Sequence, residues 1–151
     1  RVRRASVRGA GRAGGALGRG LGVRGGVAPP ATPDVARQLA GRCVDLRIFR
    51  DAEGKTNRSL AEVGGTVLAV SQFTLFADTR RGRRPSFLGA APPELGERLY
   101  EEFATALEER GVKVARGEFG AEMQVELVND GPFTIWLDSA ARPAEGAAPG
   151  S

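Results

Sequence analysis

The chain reads as a single mixed α/β domain, strand-dominated and mostly antiparallel, with two main helices packed on a curved sheet or barrel. Two amphipathic helical segments and several short apolar segments bounded by turn residues carry that reading. At 151 residues the chain is long enough for one domain with a real core.

The first helix is expected to start at Thr32-Pro33-Asp34. Thr32 is placed to cap the open N–H groups, and Pro33 suits the first helical position. Val35, Leu39 and Cys43 recur at four-residue spacing and predict its buried face. Cys43 therefore reads as a small core residue rather than a nucleophile. A short strand around Leu46–Phe49 runs into the turn Asp51-Ala52-Glu53-Gly54.

The best strand pattern runs from Thr66 to Phe76. Its start is apolar on both faces, as in a central strand. Ser71, Gln72 and Thr74 then interrupt it, and polar residues where a strand should stay apolar flag a site. A second helix is expected from Ala91-Pro92-Pro93-Glu94 to Gly111. Leu95, Leu99, Phe103 and Leu107 form its buried stripe, and Glu97, Glu101, Glu102, Glu108 and Glu109 its solvated face. Strands follow around Val112–Ala115, Met123–Val128 and Phe133–Leu137, the last two joined by the turn Asn129-Asp130-Gly131-Pro132. The domain is expected to span residues 1–139, with 140–151 a disordered tail. Residues 1–32 are rich in Arg and Gly and read poorly as secondary structure, although Ala5-Ser6-Val7 and Leu21-Gly22-Val23 hint at strands; a disordered RNA-binding arm and a transit-like leader are the alternatives.

Absences narrow the chemistry. With no histidine, Ser-His-Asp and Cys-His catalysis are excluded, as are zinc sites built on His or on several Cys. No metal site is expected. A single cysteine forms no intramolecular disulfide and fits a reducing compartment. No apolar run approaches the roughly 20 residues that span a bilayer, and no secretory pattern appears. The expected address is cytoplasmic, away from membranes. The net charge is +4, and seven arginines precede the first acidic residue, Asp34. Arg80, Arg81, Arg83 and Arg84 form a second basic cluster. Such clusters suit a polyanion; a solvated surface is the alternative.

Two segments resemble one family. Ser71-Gln72-Phe73-Thr74-Leu75, followed by Ala77-Asp78-Thr79, is similar to the SQxxL signature of D-aminoacyl-tRNA deacylases. Asn129-Asp130-Gly131-Pro132-Phe133-Thr134 is similar to their NxGPxT signature. Gly82–Phe87 and Phe119–Val125 also resemble family sequence, in order, so the resemblance runs from about Ala31 to Ser139. It implies a deacylase-type homodimer with sites at the subunit interface, acting on aminoacyl-tRNA without a cofactor. Ser71, Gln72, Phe73 and Thr74 would hold the terminal adenosine and aminoacyl group, with backbone N–H groups as an oxyanion hole. The 2′-hydroxyl of the terminal ribose would assist cleavage of its own ester, and Thr134 would position substrate.

In the family the glycine–proline bond is cis, and the turn at Asn129, Gly131 and Pro132 would crowd the space an L side chain needs. Selection by exclusion admits D-aminoacyl esters, and because glycine has no side chain to exclude, glycyl-tRNA is expected to be a substrate too. A sister editing deacylase for a small L-amino acid carries that turn in trans, so the state of the bond discriminates the two. An inactive tRNA- or DNA-binding homologue is a further alternative, and a Thr- or Ser-nucleophile esterase another. Arg80, Arg81, Arg83 and Arg84 would contact acceptor-stem phosphates.

The start departs from the family pattern. The match begins only at Arg1, which aligns with an arginine that braces the turn, and the first strand is expected to be missing. Glycines at 9, 11, 14, 15, 22, 25 and 26 fall where Val, Leu or Ile is expected. Each lost core side chain would cost about 1.5–3 kcal/mol.

Overall fold

The computed structural model describes residues 1–9 and 12–140; the expected tail lies, from residue 141 on, outside the described residues. Eight strands and two α-helices follow in the order β1 Val2–Gly9, β2 Arg12–Leu17, β3 Gly20–Gly25, α1 Pro33–Asp45, β4 Phe49–Arg50, β5 Thr56–Arg58, β6 Thr66–Ser71, α2 Pro93–Glu109, β7 Val114–Arg116 and β8 Met123–Asn129. A 3-10 turn, Phe73–Phe76, follows β6.

The main sheet runs β2-β1-β3-β6-β7, with β8 on the other edge of β1. Strand β1 is antiparallel to β2, β3 and β8, whereas β6 is parallel to both β3 and β7. Strands β4 and β5 form a separate antiparallel pair. The mostly antiparallel reading therefore holds for the pairings, while the central strand is parallel to both neighbours. Val67 to Val70 of β6 are all buried. Val67 and Ala69 join the core under the helices, with Phe49, Leu60 and Leu107. Leu68 and Val70 join a second core with Val2, Ala5 and Val7.

The Arg/Gly-rich segment is corrected by the structure. Expected to read poorly as secondary structure and to lack a first strand, it carries β1, β2 and β3. Gly14, Gly15, Gly20 and Gly26 serve close approach, whereas an added Cβ would meet nothing within 4 Å at Gly18 or Gly25. A Cβ on Gly20 would sit 1.8 Å from the Thr66 carbonyl oxygen, and one on Gly15 would sit 2.5 Å from the Ala115 Cβ. The second contact draws β2 against β7 and curls the sheet into a nearly closed barrel.

The helices form as their caps dictate. The Thr32 hydroxyl accepts from the Val35 N–H, and Gly111 adopts φ 80° just beyond α2. The buried face of α1 is rotated from expectation: Ala36, Ala40, Gly41, Cys43 and Val44 are buried, while Val35 and Leu39 are only half-buried. Small residues there let α1 approach α2 closely. Burial pushes the Cys43 thiol up to about 11, as suits a core residue and not a nucleophile. The acidic face of α2 is met by cations: Arg37 pairs with Glu102 and Glu109, and Arg116 with Glu101 and Glu108. Two further expectations are corrected. The strand from Thr66 stops at Ser71, and Phe133–Leu137 forms no ladder. In that last segment Phe133 and Leu137 pack on the larger core, leaving Ile135 and Trp136 exposed. No helix among the described residues is long and apolar enough to cross a membrane.

Close approach makes opposite demands at two glycines of β3. Gly20→Ala should lower stability by about 1–3 kcal/mol through overpacking. A Cβ on Gly22 meets only the Val2 Cγ1, at 3.6 Å, so Gly22→Ala should be neutral or stabilise by up to about 1 kcal/mol. Urea unfolding midpoints measure both, and equal losses would refute the close-approach account.

Candidate active site

Strand β6 delivers the first half of the site. At its end the Gln72 N–H donates to the Gly25 carbonyl of β3 at 2.7 Å, and the chain then tightens into the 3-10 turn Phe73–Phe76. The Leu75 N–H donates to the Gln72 carbonyl and the Ala77 N–H to that of Thr74. A 3-10 turn satisfies its own later N–H groups and leaves the first ones open. Phe73 and Thr74 are thus placed to offer backbone donors to solvent. The Gln72 amide donates to the Thr74 hydroxyl, and Phe73, 56% exposed, stands edge-on to Phe87 with ring centroids 5.2 Å apart. Expecting a continued strand, sequence reasoning missed this turn; the polar interruption at Ser71-Gln72-Thr74 was its only local signal.

Two reciprocal hydrogen bonds between Asp78 and Ser86, at 2.7 and 2.9 Å, close the loop that follows. Within it Arg80 grips the Asp78 carboxylate through Nε at 2.8 Å and Nη2 at 2.6 Å. That side-chain bond, with the Arg80 N–H, holds the Asp78 carboxyl below its ordinary value. Arg80 is therefore partly neutralised within the loop, whereas Arg81, Arg83 and Arg84 are exposed and enter no salt bridge among the described residues.

The second half follows β8. Gly131-Pro132 is cis, and both residues are exposed. Arg1 holds both flanks of this turn. Its Nε donates to the Asp130 carbonyl at 2.9 Å and lies 3.0 Å from the Asp130 carboxylate. Its Nη1 donates to the Ile48 carbonyl at 2.9 Å. The guanidinium lies 4.6 Å from the Phe133 ring centroid, and the Arg1 backbone nitrogen donates to the Phe133 carbonyl at 3.1 Å. Asn129 flanks Gly131 closely: a Cβ there would meet the Asn129 Nδ2 at 2.8 Å. Thr134 is exposed, and among the described residues no hydrogen bond joins it or the turn to Ser71–Thr74. No cluster of three or more His, Cys, Asp or Glu suited to a metal ion occurs among the described residues.

The sequence model described as D-Tyr-tRNA(Tyr) deacylase matches residues 1–138 of this chain. The chain belongs to the D-Tyr-tRNA(Tyr) deacylase family. A relative from Roseiflexus castenholzii, named D-aminoacyl-tRNA deacylase, is 58% identical over 140 residues, 93% of this chain and 89% of the relative. One of the same name from Dinoroseobacter shibae is 59% identical over 138 residues, 91% of this chain and 95% of its own. A solved structure described as a c-Myc DNA Unwinding Element Binding Protein is 38% identical and superposes with a TM-score of 0.85. It covers 93% of this chain and 96% of its own. The deacylase family thus accounts for the whole described domain, including the glycine-rich start.

Asp130 anchors the electrostatics of the turn. Partial desolvation raises its carboxyl, but the Arg3 hydrogen bond and the charges of Arg1, Arg3 and Arg50 outweigh this and hold it below its ordinary value. A depressed folded-state value means stability that is present at neutral pH and lost as pH falls through that value. Asp130→Asn should therefore lower the melting temperature at pH 7, with the difference from the unaltered chain closing below about pH 4. Melting curves from pH 7 to 3 read this out; a gap that persists in acid would contradict it.

Proposed function

We propose that this chain hydrolyses the ester bond of D-aminoacyl-tRNA, releasing free amino acid and tRNA. The family match over residues 1–138 carries the reading. In it, Ser71, Gln72, Phe73 and Thr74 receive the terminal adenosine and the aminoacyl group. The open N–H groups at the start of the 3-10 turn face the ester carbonyl, where each oxyanion donor contributes about 2.7–4 kcal/mol. Among the described residues no carboxylate hydrogen-bonds to Ser71–Thr74, the Gln72 amide holds the Thr74 hydroxyl, and the chain has no histidine. The ribose 2′-hydroxyl therefore supplies the assistance. Thr134 positions substrate.

The exposed Gly131-Pro132 turn, gripped on both flanks by Arg1, acts as the chirality filter in a second copy of the chain. Leu127, Val128, Ile135 and Trp136 are exposed on the segments beside it. Exposed large apolar side chains on both segments beside the turn suit an interface, which supports a homodimer. Arg81, Arg83 and Arg84, with Arg80, contact phosphates of the acceptor stem. Glycine has no side chain to exclude, so glycyl-tRNA is a substrate as well.

D-tyrosyl-, L-tyrosyl- and glycyl-tRNA, offered separately, should give hydrolysis of the first and third and sparing of the second. Inactivity on all three, with tRNA binding retained, would leave a binding protein instead. A terminal 2′-deoxyribose should slow release by about a hundredfold or more, and an unchanged rate would remove the 2′-hydroxyl from the mechanism. Sedimentation of the chain should report a dimer.

A further inference from the structure

A second basic feature lies apart from the Arg80–Arg84 loop. Arg1, Arg3, Arg19, Arg50 and Asp130 line an open cavity of about 250 Å³. Four guanidiniums share one carboxylate there. Asp130 already pairs with both Arg1, at 3.0 Å, and Arg3, at 3.3 Å. Arg1 is buried and spends its donors on Asp130 and Ile48, so it belongs to the turn. Arg3, Arg19 and Arg50 are exposed. Arg19 lies over the Phe49 ring at 5.5 Å, which holds its charge at the cavity rim.

Neighbouring carboxylates are otherwise engaged. Asp51, next to Arg50, accepts from the N–H groups of Glu53 and Lys55 at 3.0 and 2.8 Å. Asp45 faces Arg110. Neither Arg19 nor Arg50 enters a salt bridge among the described residues. Cations brought together from β1, the β2–β3 connection and β4 repel one another unless an anion joins them. Guanidinium groups suit phosphate, whose oxygens accept paired N–H donors.

We propose that Arg3, Arg19 and Arg50 form a phosphate-binding subsite for the RNA backbone of the substrate. The proposal rests on the deacylase reading, because that reading brings an RNA to the Asp130–Pro132 turn. The subsite binds phosphodiester groups without reading sequence, and it adds a second anchor to the Arg80–Arg84 loop.

The test titrates uncharged tRNA against the unaltered chain, the pair Arg19→Gln/Arg50→Gln and the pair Arg19→Lys/Arg50→Lys over a salt series. The glutamine pair should weaken binding about three- to tenfold and flatten the log–log salt dependence by about one to two. The lysine pair should keep the slope. Thermal melts report folding; if the glutamine pair fails to fold, Arg50→Gln alone should flatten the slope by about one. A glutamine variant with an unaltered slope would overturn the subsite. So would inorganic phosphate that raises the melting temperature of the unaltered chain and the glutamine pair alike. Release of D-tyrosine from D-tyrosyl-tRNA by the unaltered chain judges the enzymatic reading separately. Lost slope without any release keeps the subsite and discards that reading; release with unchanged slopes does the reverse.

Discussion

Four consecutive residues of β6 are buried, alternating between two cores. A strand shared in this way cannot shift by one residue without exchanging the contents of both cores. Its register is therefore set from two sides, by β3 and β7 as parallel neighbours. Tyr100 adds a pin from α2. Its buried hydroxyl lies 3.0 Å from the Ala69 carbonyl and 3.2 Å from that of Gly117, tying helix, β6 and the end of β7 together. Ser71 and Gln72 lie directly beyond this fixed point, so the position of the 3-10 turn that follows is inherited from the core.

What was legible in the sequence follows from where each signal resides. The caps at Thr32 and Gly111 are local, and both helices lie where those residues put them. The double-sided burial of β6 is also written in its own four residues. The strands before Pro33 were not legible, because glycine supplies no pattern of side chains to read. The reason for glycine at 20 and 15 is a contact with Thr66 and Ala115 respectively, both distant in sequence. The 3-10 turn has a related explanation: β3, the parallel partner of β6, ends at Gly25, and the ladder between them closes with the Gln72 N–H on the Gly25 carbonyl. At the site, the motif segments were legible as residue types. Their geometry was only partly so, since the Arg1 contacts with Ile48 and Phe133 span much of the chain.

Charge follows a division of labour among the arginines. Arg37 and Arg116 neutralise the acidic face of α2, and Arg1 is consumed in holding the turn. Among the cations that enter no salt bridge in the described residues, Arg81, Arg83 and Arg84 lie on the loop after the 3-10 turn, and Arg19 and Arg50 line the cavity beside Asp130. A modest net charge of +4 thus conceals two concentrated basic surfaces, and local potential rather than total charge governs attraction of a polyanion.

The grip of Arg1 on both flanks of Gly131-Pro132 makes the exposed tip a rigid extension of the sheet. Mounting and exposed surface are divided between different residues: Arg1, Asp130 and Phe133 supply the first, and the solvent-facing tip supplies the second. Changes at the tip alter the shape presented outward while leaving its mounting intact. Such a part can be re-cut without rebuilding the machine that holds it, which opens an evolutionary route to new substrate preferences within an unchanged fold.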